Sequence, residues 1–162
     1  MHPISDLGTL LRDMEPVLNP GTFVYAQGPE PDRLDSSSII ASIREPEGLS
    51  LIIEESVARA HGLQARHRCA WITLRVHSDL QAVGLTAAFA TALGQAGISC
   101  NVVAGLRHDH LFVPVQQAQQ AIAALRALQA RQTQHRGVDP ARGLTTAADF
   151  RSGEDSQRDG PT

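Results

Sequence analysis

The sequence predicts an α+β fold in which antiparallel strands carry helices on one face. Three observations predict it. Residues 71–77 alternate strictly, with Ile72, Leu74 and Val76 on one side and Trp71, Thr73, Arg75 and His77 on the other. That is the period of a strand with one face buried under helices and a more polar second face. The period then lengthens: Leu85, Phe89, Ala92, Leu93 and Ala96 fall near one helical face, and Gly97-Ile98 supplies a glycine stop with its hydrophobic contact. Finally, two short apolar runs, 100–106 and 110–115, flank an Arg107-His108-Asp109 turn and lead into a helix over 116–131, which packs through Ala118, Ile122, Leu125 and Leu128.

The remaining elements are read in chain order. Residues 4–15 form a helix through Leu7, Leu10, Leu11 and Met14, stopped by Pro16 and the Asn19-Pro20-Gly21 turn. Residues 22–27 and 38–44 are strands separated by a loop rich in Pro, Asp and Ser. Glu47-Gly48 precedes a short strand over 49–53, a brief helix starts at about residue 54, and His61-Gly62-Leu63 ends it. Ser78 and Gln81 have the spacing of a capping box, which starts the next helix at once and leaves Gly84 inside it. Beyond Arg131 the pattern dissolves into Gln, Arg, Asp, Gly, Ser and Thr, read as a disordered tail. Strand, helix, strand, strand, helix is most of a ferredoxin-like unit. Its missing last strand has no candidate after Arg131 and is expected from the first half, either 22–27 or 38–44, making two interleaved units on one core. The divisions are 1–66, 67–131 and the tail 132–162.

Composition excludes several classes of function. The chain has 162 residues, 42% hydrophobic and 19% charged, and no apolar run approaches the roughly 18 residues of a membrane span. Its first residues carry acids and lack the basic and apolar segments of a secretory signal, so cytoplasm is the expected location. All 14 basic residues are arginine, which removes Schiff-base and phosphate-loop lysine chemistry. A net charge of −3 offers no footprint for nucleic acid. Cys69 and Cys100 lack CxxC spacing and read as buried thiols.

Catalytic patterns are equally thin. His108-Asp109-His110, with His77 in reach, invites a metal, but no further ligand sits at a recognised spacing, and a hairpin turn fits better. His77 and Ser78 are neighbours on a strand end, so their side chains diverge, and there is no G-x-S-x-G elbow. Glu54-Glu55 suits a helix start, and Glu45 and Glu47 flank Pro46 on a loop. Neither a cofactor nor a catalytic residue is expected. The corner from His77 to Thr86 carries more. A glycine inside a helix costs about 0.5–1 kcal/mol relative to alanine, so Gly84 marks close packing or the approach of a ligand. Asp79 suits the helix dipole or a ligand ammonium group, nearby N–H groups suit a carboxylate, and Asn101 adds hydrogen bonds of either polarity.

The runs WITLRVHSDLQAVGLTAA and GISCNVVAGLRHDHLFVPV, with REPEGLSLII upstream, resemble a group of small bacterial ACT-domain proteins of uncertain function, over roughly residues 4–130. The resemblance implies a tandem pair of ACT-like, ferredoxin-like βαββαβ units, similar to the regulatory portion of aspartokinases. ACT domains typically bind amino acids at unit interfaces, at the corner between first strand and first helix. Matched to this chain, that corner is His77, Ser78, Asp79, Leu80, Val83, Gly84 and Leu85 with Asn101 beside it, and Glu47, Gly48 and Leu49 stand at the corresponding place in the other half. The implied function is a stand-alone module that binds an amino acid and signals through a partner or its own assembly. The alternatives are an interaction scaffold with an empty corner and a small metal-dependent enzyme. Trp71, Phe112 and Tyr25, expected as exposed aromatics on strands whose second face lacks helices, lead us to expect a homodimer.

Overall fold

The computed structural model describes residues 3–28 and 34–135. Its elements in chain order are α1 (Leu7–Asp13), β1 (Glu15–Leu18), β2 (Phe23–Gln27), β3 (Ile39–Glu45), β4 (Gly48–Glu54), α2 (Glu55–Ala60), β5 (Ala65–Arg75), α3 (Leu85–Gln95), β6 (Asn101–Ala104), β7 (Asp109–Pro114) and α4 (Ala118–His135). All seven strands join one antiparallel sheet in the order β3-β4-β2-β5-β7-β6, with β1 added beside β5.

β5 holds the two halves together. At 11 residues it is long enough to be shared. Along one edge its first part pairs with β2, with Phe23 opposite Cys69, and its last part pairs with β1, with Val17 opposite Thr73. The other edge pairs with β7, Trp71 opposite Phe112. Each half therefore receives its closing strand from the other: the start of β5 closes β2-β3-β4-α2, and β1 closes β5-α3-β6-β7-α4. The expected division after residue 66 falls within β5.

The strand donated to the second half, β1, came from neither of the expected places. Residues 22–27 do pair with β5, whereas the 38–44 candidate is the far edge strand and pairs only with β4. β1 lay hidden because Pro16 reads as a helix stop. It tolerates the proline because it is an edge strand, where a missing N–H leaves no gap in a ladder. Asn19 fixes the turn that follows, its side-chain amide donating to the Trp71 carbonyl at 3.2 Å and to Thr73 Oγ1 at 2.9 Å. The first helix is shorter than expected and starts after Asp6, whose carboxylate accepts the Thr9 N–H at 2.8 Å. β5 begins six residues before Trp71, with a bulge at His67, which takes φ +51. The last helix runs to His135, past the expected tail boundary, and the rest of that tail lies outside the described residues.

The helices cover one face of the sheet. Ile72, Leu74, Leu111 and Val113 meet Leu10, Met14, Phe89, Leu93 and Leu125 there, nearly all without solvent contact. Burying one such side chain stabilises the fold by about 1.5–3 kcal/mol. On the same side of the first half, Val24, Leu51 and Ile53 pack with Ala58 of α2. The helix-free face is apolar too, which corrects the expectation of exposed aromatics. Phe112 is fully buried, and Trp71 and Tyr25 are half-buried. Ile40 from one edge strand and Val103 from the other both pack on this cluster, so the sheet curls around it. Phe23 stands edge-on to Trp71 at 5.3 Å, and Trp71 stacks on Phe112 at 6.3 Å. No helix among the described residues is long and apolar enough to cross a membrane.

Candidate functional site

After β5 the chain makes a loop, residues 76–84, before α3 begins. The capping box does not form. The Asp79 carboxylate instead accepts the Gln81 N–H at 2.9 Å, and its carbonyl accepts that of Ala82, an Asx-type turn that competes with helix. Gly84 is consequently the N-cap of α3 and not a helix-interior residue, with φ +103 and no side-chain cap. A Cβ at this position would stand 2.9 Å from Leu7 Cδ2, so the group that approaches Gly84 is the chain's own α1.

The N-terminal segment straps the loop. Ile4 donates its N–H to the His77 carbonyl at 2.8 Å and accepts the Asp79 N–H at 2.9 Å, and the Ser5 hydroxyl donates to Asp79 at 3.2 Å. Part of the backbone that the sequence left open for a ligand is thereby used within the chain. What stays open is a hollow of about 350 Å³ lined by Pro3, His77, Ser78, Asp79 and Leu80 and by Leu106 and Arg107 of the β6–β7 turn, within the usual size of small-molecule sites.

The expected site residues thus separate. His77, Ser78, Asp79 and Leu80 converge on the hollow. Val83 points to solvent at 84% exposure, Gly84 meets Leu7, and Leu85 is buried in the core. Asn101 lies at the far end of β6, paired with Phe112 and level with Trp71, about six strand residues short of His77. Glu47 and Gly48 lie at the β3–β4 hairpin turn, with Leu49 in β4. This turn is the counterpart of the β6–β7 turn and not of a strand–helix corner. Pro3, Leu106 and Arg107 were missed. The pairing of Leu74 with Asp109 is what places the 105–108 turn at the exit of β5, and a sequence shows no such register.

The hollow has opposite charges and an apolar rim. Asp79, held by Ser5 and Gln81, and Arg107, which forms no ion pair among the described residues, both line it. Of its lining residues, Leu80 and Leu106 are exposed by 65 and 77%.

The His108-Asp109-His110 group has other work. His108 donates from Nδ1 to the Val76 carbonyl at 3.1 Å. The His110 Nδ1 accepts the Trp71 indole N–H at 3.1 Å, which leaves its proton on Nε2. Burial holds His110 below the usual histidine range and pushes the Asp109 carboxyl above the carboxylate range, the latter opposed by the two histidines. No group of three potential ligands is arranged for a metal ion among the described residues. Burial pushes the free thiols of Cys69 and Cys100 up to about 11, far from a reactive thiolate.

Family models described as ACT domain match residues 2–70 and 66–127 in tandem. No curated protein matches the chain. Among solved structures, a Vibrio cholerae protein of unknown function, described as a possible transport protein, is 48% identical, with a TM-score of 0.68 over 76% of this chain and 95% of that one. An Agrobacterium tumefaciens protein shares 13% identity at a TM-score of 0.59, covering 72% and 89% of the two chains. The aspartate kinase of Clostridium acetobutylicum shares 10% at 0.51, covering 66% of this chain and 32% of the enzyme. These last two likenesses establish fold alone.

Proposed function

The chain belongs to the ACT-domain family, whose members are typically regulatory ligand-binding modules, and from that premise we propose that it binds a free amino acid in the hollow at the exit of β5 and signals by a change in assembly. The observation that carries this reading is the placement of Asp79 and Arg107 on one hollow of about 350 Å³. An amino acid carries the complementary pair, its ammonium facing Asp79 and its carboxylate facing Arg107. The exposed Leu80 and Leu106 on the hollow support a second copy of the chain closing over the ligand. A ligand that contacts both copies stabilises the closed pair by its differential affinity, and that difference is the signal. The module has no catalytic task in this reading. It acts in the cytoplasm, where Cys69 and Cys100 stay reduced.

The test is thermal unfolding against a panel of the common amino acids. A ligand at about 100 times its dissociation constant adds about 2.7 kcal/mol. Asp79→Asn and Arg107→Gln should each remove the shift of the responding amino acid while leaving the unliganded melting point close to that of the parent. A panel without any shift, or a shift that survives both substitutions, refutes the assignment of the site.

A further inference from the structure

The first unit repeats this junction with different chemistry. β2 leaves the sheet at Gln27 beside the β3–β4 turn, just as β5 leaves it beside the β6–β7 turn, and an open hollow of about 250 Å³ lies there. The turn is braced from within. Gln27 donates its side-chain amide to the Glu47 carbonyl at 3.0 Å, the Ser50 hydroxyl holds the Glu45 carboxylate, and Gly48 takes φ +136, with room for no Cβ beside the Gln27 amide at 2.9 Å.

Two charged side chains on this hollow are uncommitted among the described residues. Glu47 on the turn and Arg66 on β5 form no ion pair among the described residues, whereas Arg68, two residues further on, is held by Glu55 at 2.7 Å. They stand on opposite flanks of β2: Arg66 registers with Tyr25 on one side, and Gln27 registers with Ser50 of β4 on the other. Neighbouring strands are about 4.8 Å apart, and Glu47 lies further along the sheet, three residues past Ser50, so the main chains that carry the two charges are separated by at least about 10 Å. β2 itself, Phe23–Gln27, carries no charged side chain between them.

We propose that this hollow is a second small-molecule site, independent of the corner at β5, that takes an extended dipolar molecule lying across β2 with its ammonium on Glu47 and its carboxylate on Arg66. The separation of the charges by a strand favours a long dipole over a compact one. Oppositely charged, hydrogen-bonding ends at fixed spacing give such a site its selectivity.

Calorimetric titration of the full chain with δ-aminovalerate, glycine, acetate and propylamine tests this. δ-Aminovalerate should saturate, glycine should bind more weakly, and the two single-charge fragments should not saturate at the same concentrations. Arg66→Gln and Glu47→Gln should each weaken δ-aminovalerate by about tenfold, and Asp79→Asn should leave it unchanged, which separates this site from the corner. Both substituted side chains are exposed, and unchanged circular dichroism and melting point establish that the variants fold. Absence of saturation, fragments that bind as well as the long dipole, or parental affinity in either variant overturns the proposal.

Discussion

Gly84→Ala is the substitution that best separates a ligand-site glycine from a structural one. The main chain at residue 84 has φ +103, and the new Cβ would stand 2.9 Å from Leu7 Cδ2. An L-residue held at such a φ loses about 1–2 kcal/mol. Moving the tip of Leu7 by several tenths of an ångström against the core adds about 1 kcal/mol. The sum, about 2–3 kcal/mol, corresponds to a fall in Tm on the order of 6–12 °C for a core of this size. Urea and thermal unfolding measure it. The two contributions are separable: in a Leu7→Ala background the contact vanishes and the backbone strain stays, so Gly84→Ala should then cost about 1 kcal/mol less, a coupling read from the double-mutant cycle. A Gly84→Ala protein within about 0.5 kcal/mol of the parent would refute the assignment of strain, and a loss unchanged by Leu7→Ala would refute the contact.

Phe89, fully buried between sheet and helices, should lose about 3–5 kcal/mol on truncation to alanine, and a denaturant midpoint close to the parent's would contradict the packing described. His110 is held below the usual histidine value by burial. The unfolded chain therefore takes up the proton first, and stability should fall as pH drops through the histidine range and below. Trp71, the sole tryptophan, donates to this imidazole, so its fluorescence should change with His110 protonation. A pH-independent emission spectrum between neutrality and mild acid would rule the link out. Asp109 has the opposite sign. Its raised carboxyl value makes the native state hold its proton longer, so stability falls as pH rises through the carboxylate range. Asp109→Asn should flatten that part of the stability curve, and an unchanged slope would remove the buried acid from consideration.

Local chemistry made much of this molecule legible. The alternation of Ile72, Leu74 and Val76 announced the buried face of β5, Phe89 and Leu93 announced the inner face of α3, and Gly62 and Gly97 marked helix ends at φ +63 and +70. Period, glycine and proline act within a few residues, so they can be read without a partner. The family showed separately, as a resemblance of the runs 71–88 and 97–115, with 44–53 upstream, to ACT-domain proteins.

Long-range register decided the rest. Pro16 disguised β1, since only pairing with a β5 that already exists makes four residues a strand. The capping box at Ser78 lost to a strap from Ile4 and Ser5, 74 residues away in sequence for the pair formed with Asp79. Asn101 and Arg107 sit on the same hairpin, yet the pairing of β6 with β7 puts Arg107 at the exit of β5 and Asn101 at the opposite end. The sequence by itself determined which elements form and which faces they bury, because those choices depend on side chains a turn or a pleat apart. Tertiary structure alone determined which charges share a hollow, because pairing across strands places residues that the chain order keeps apart.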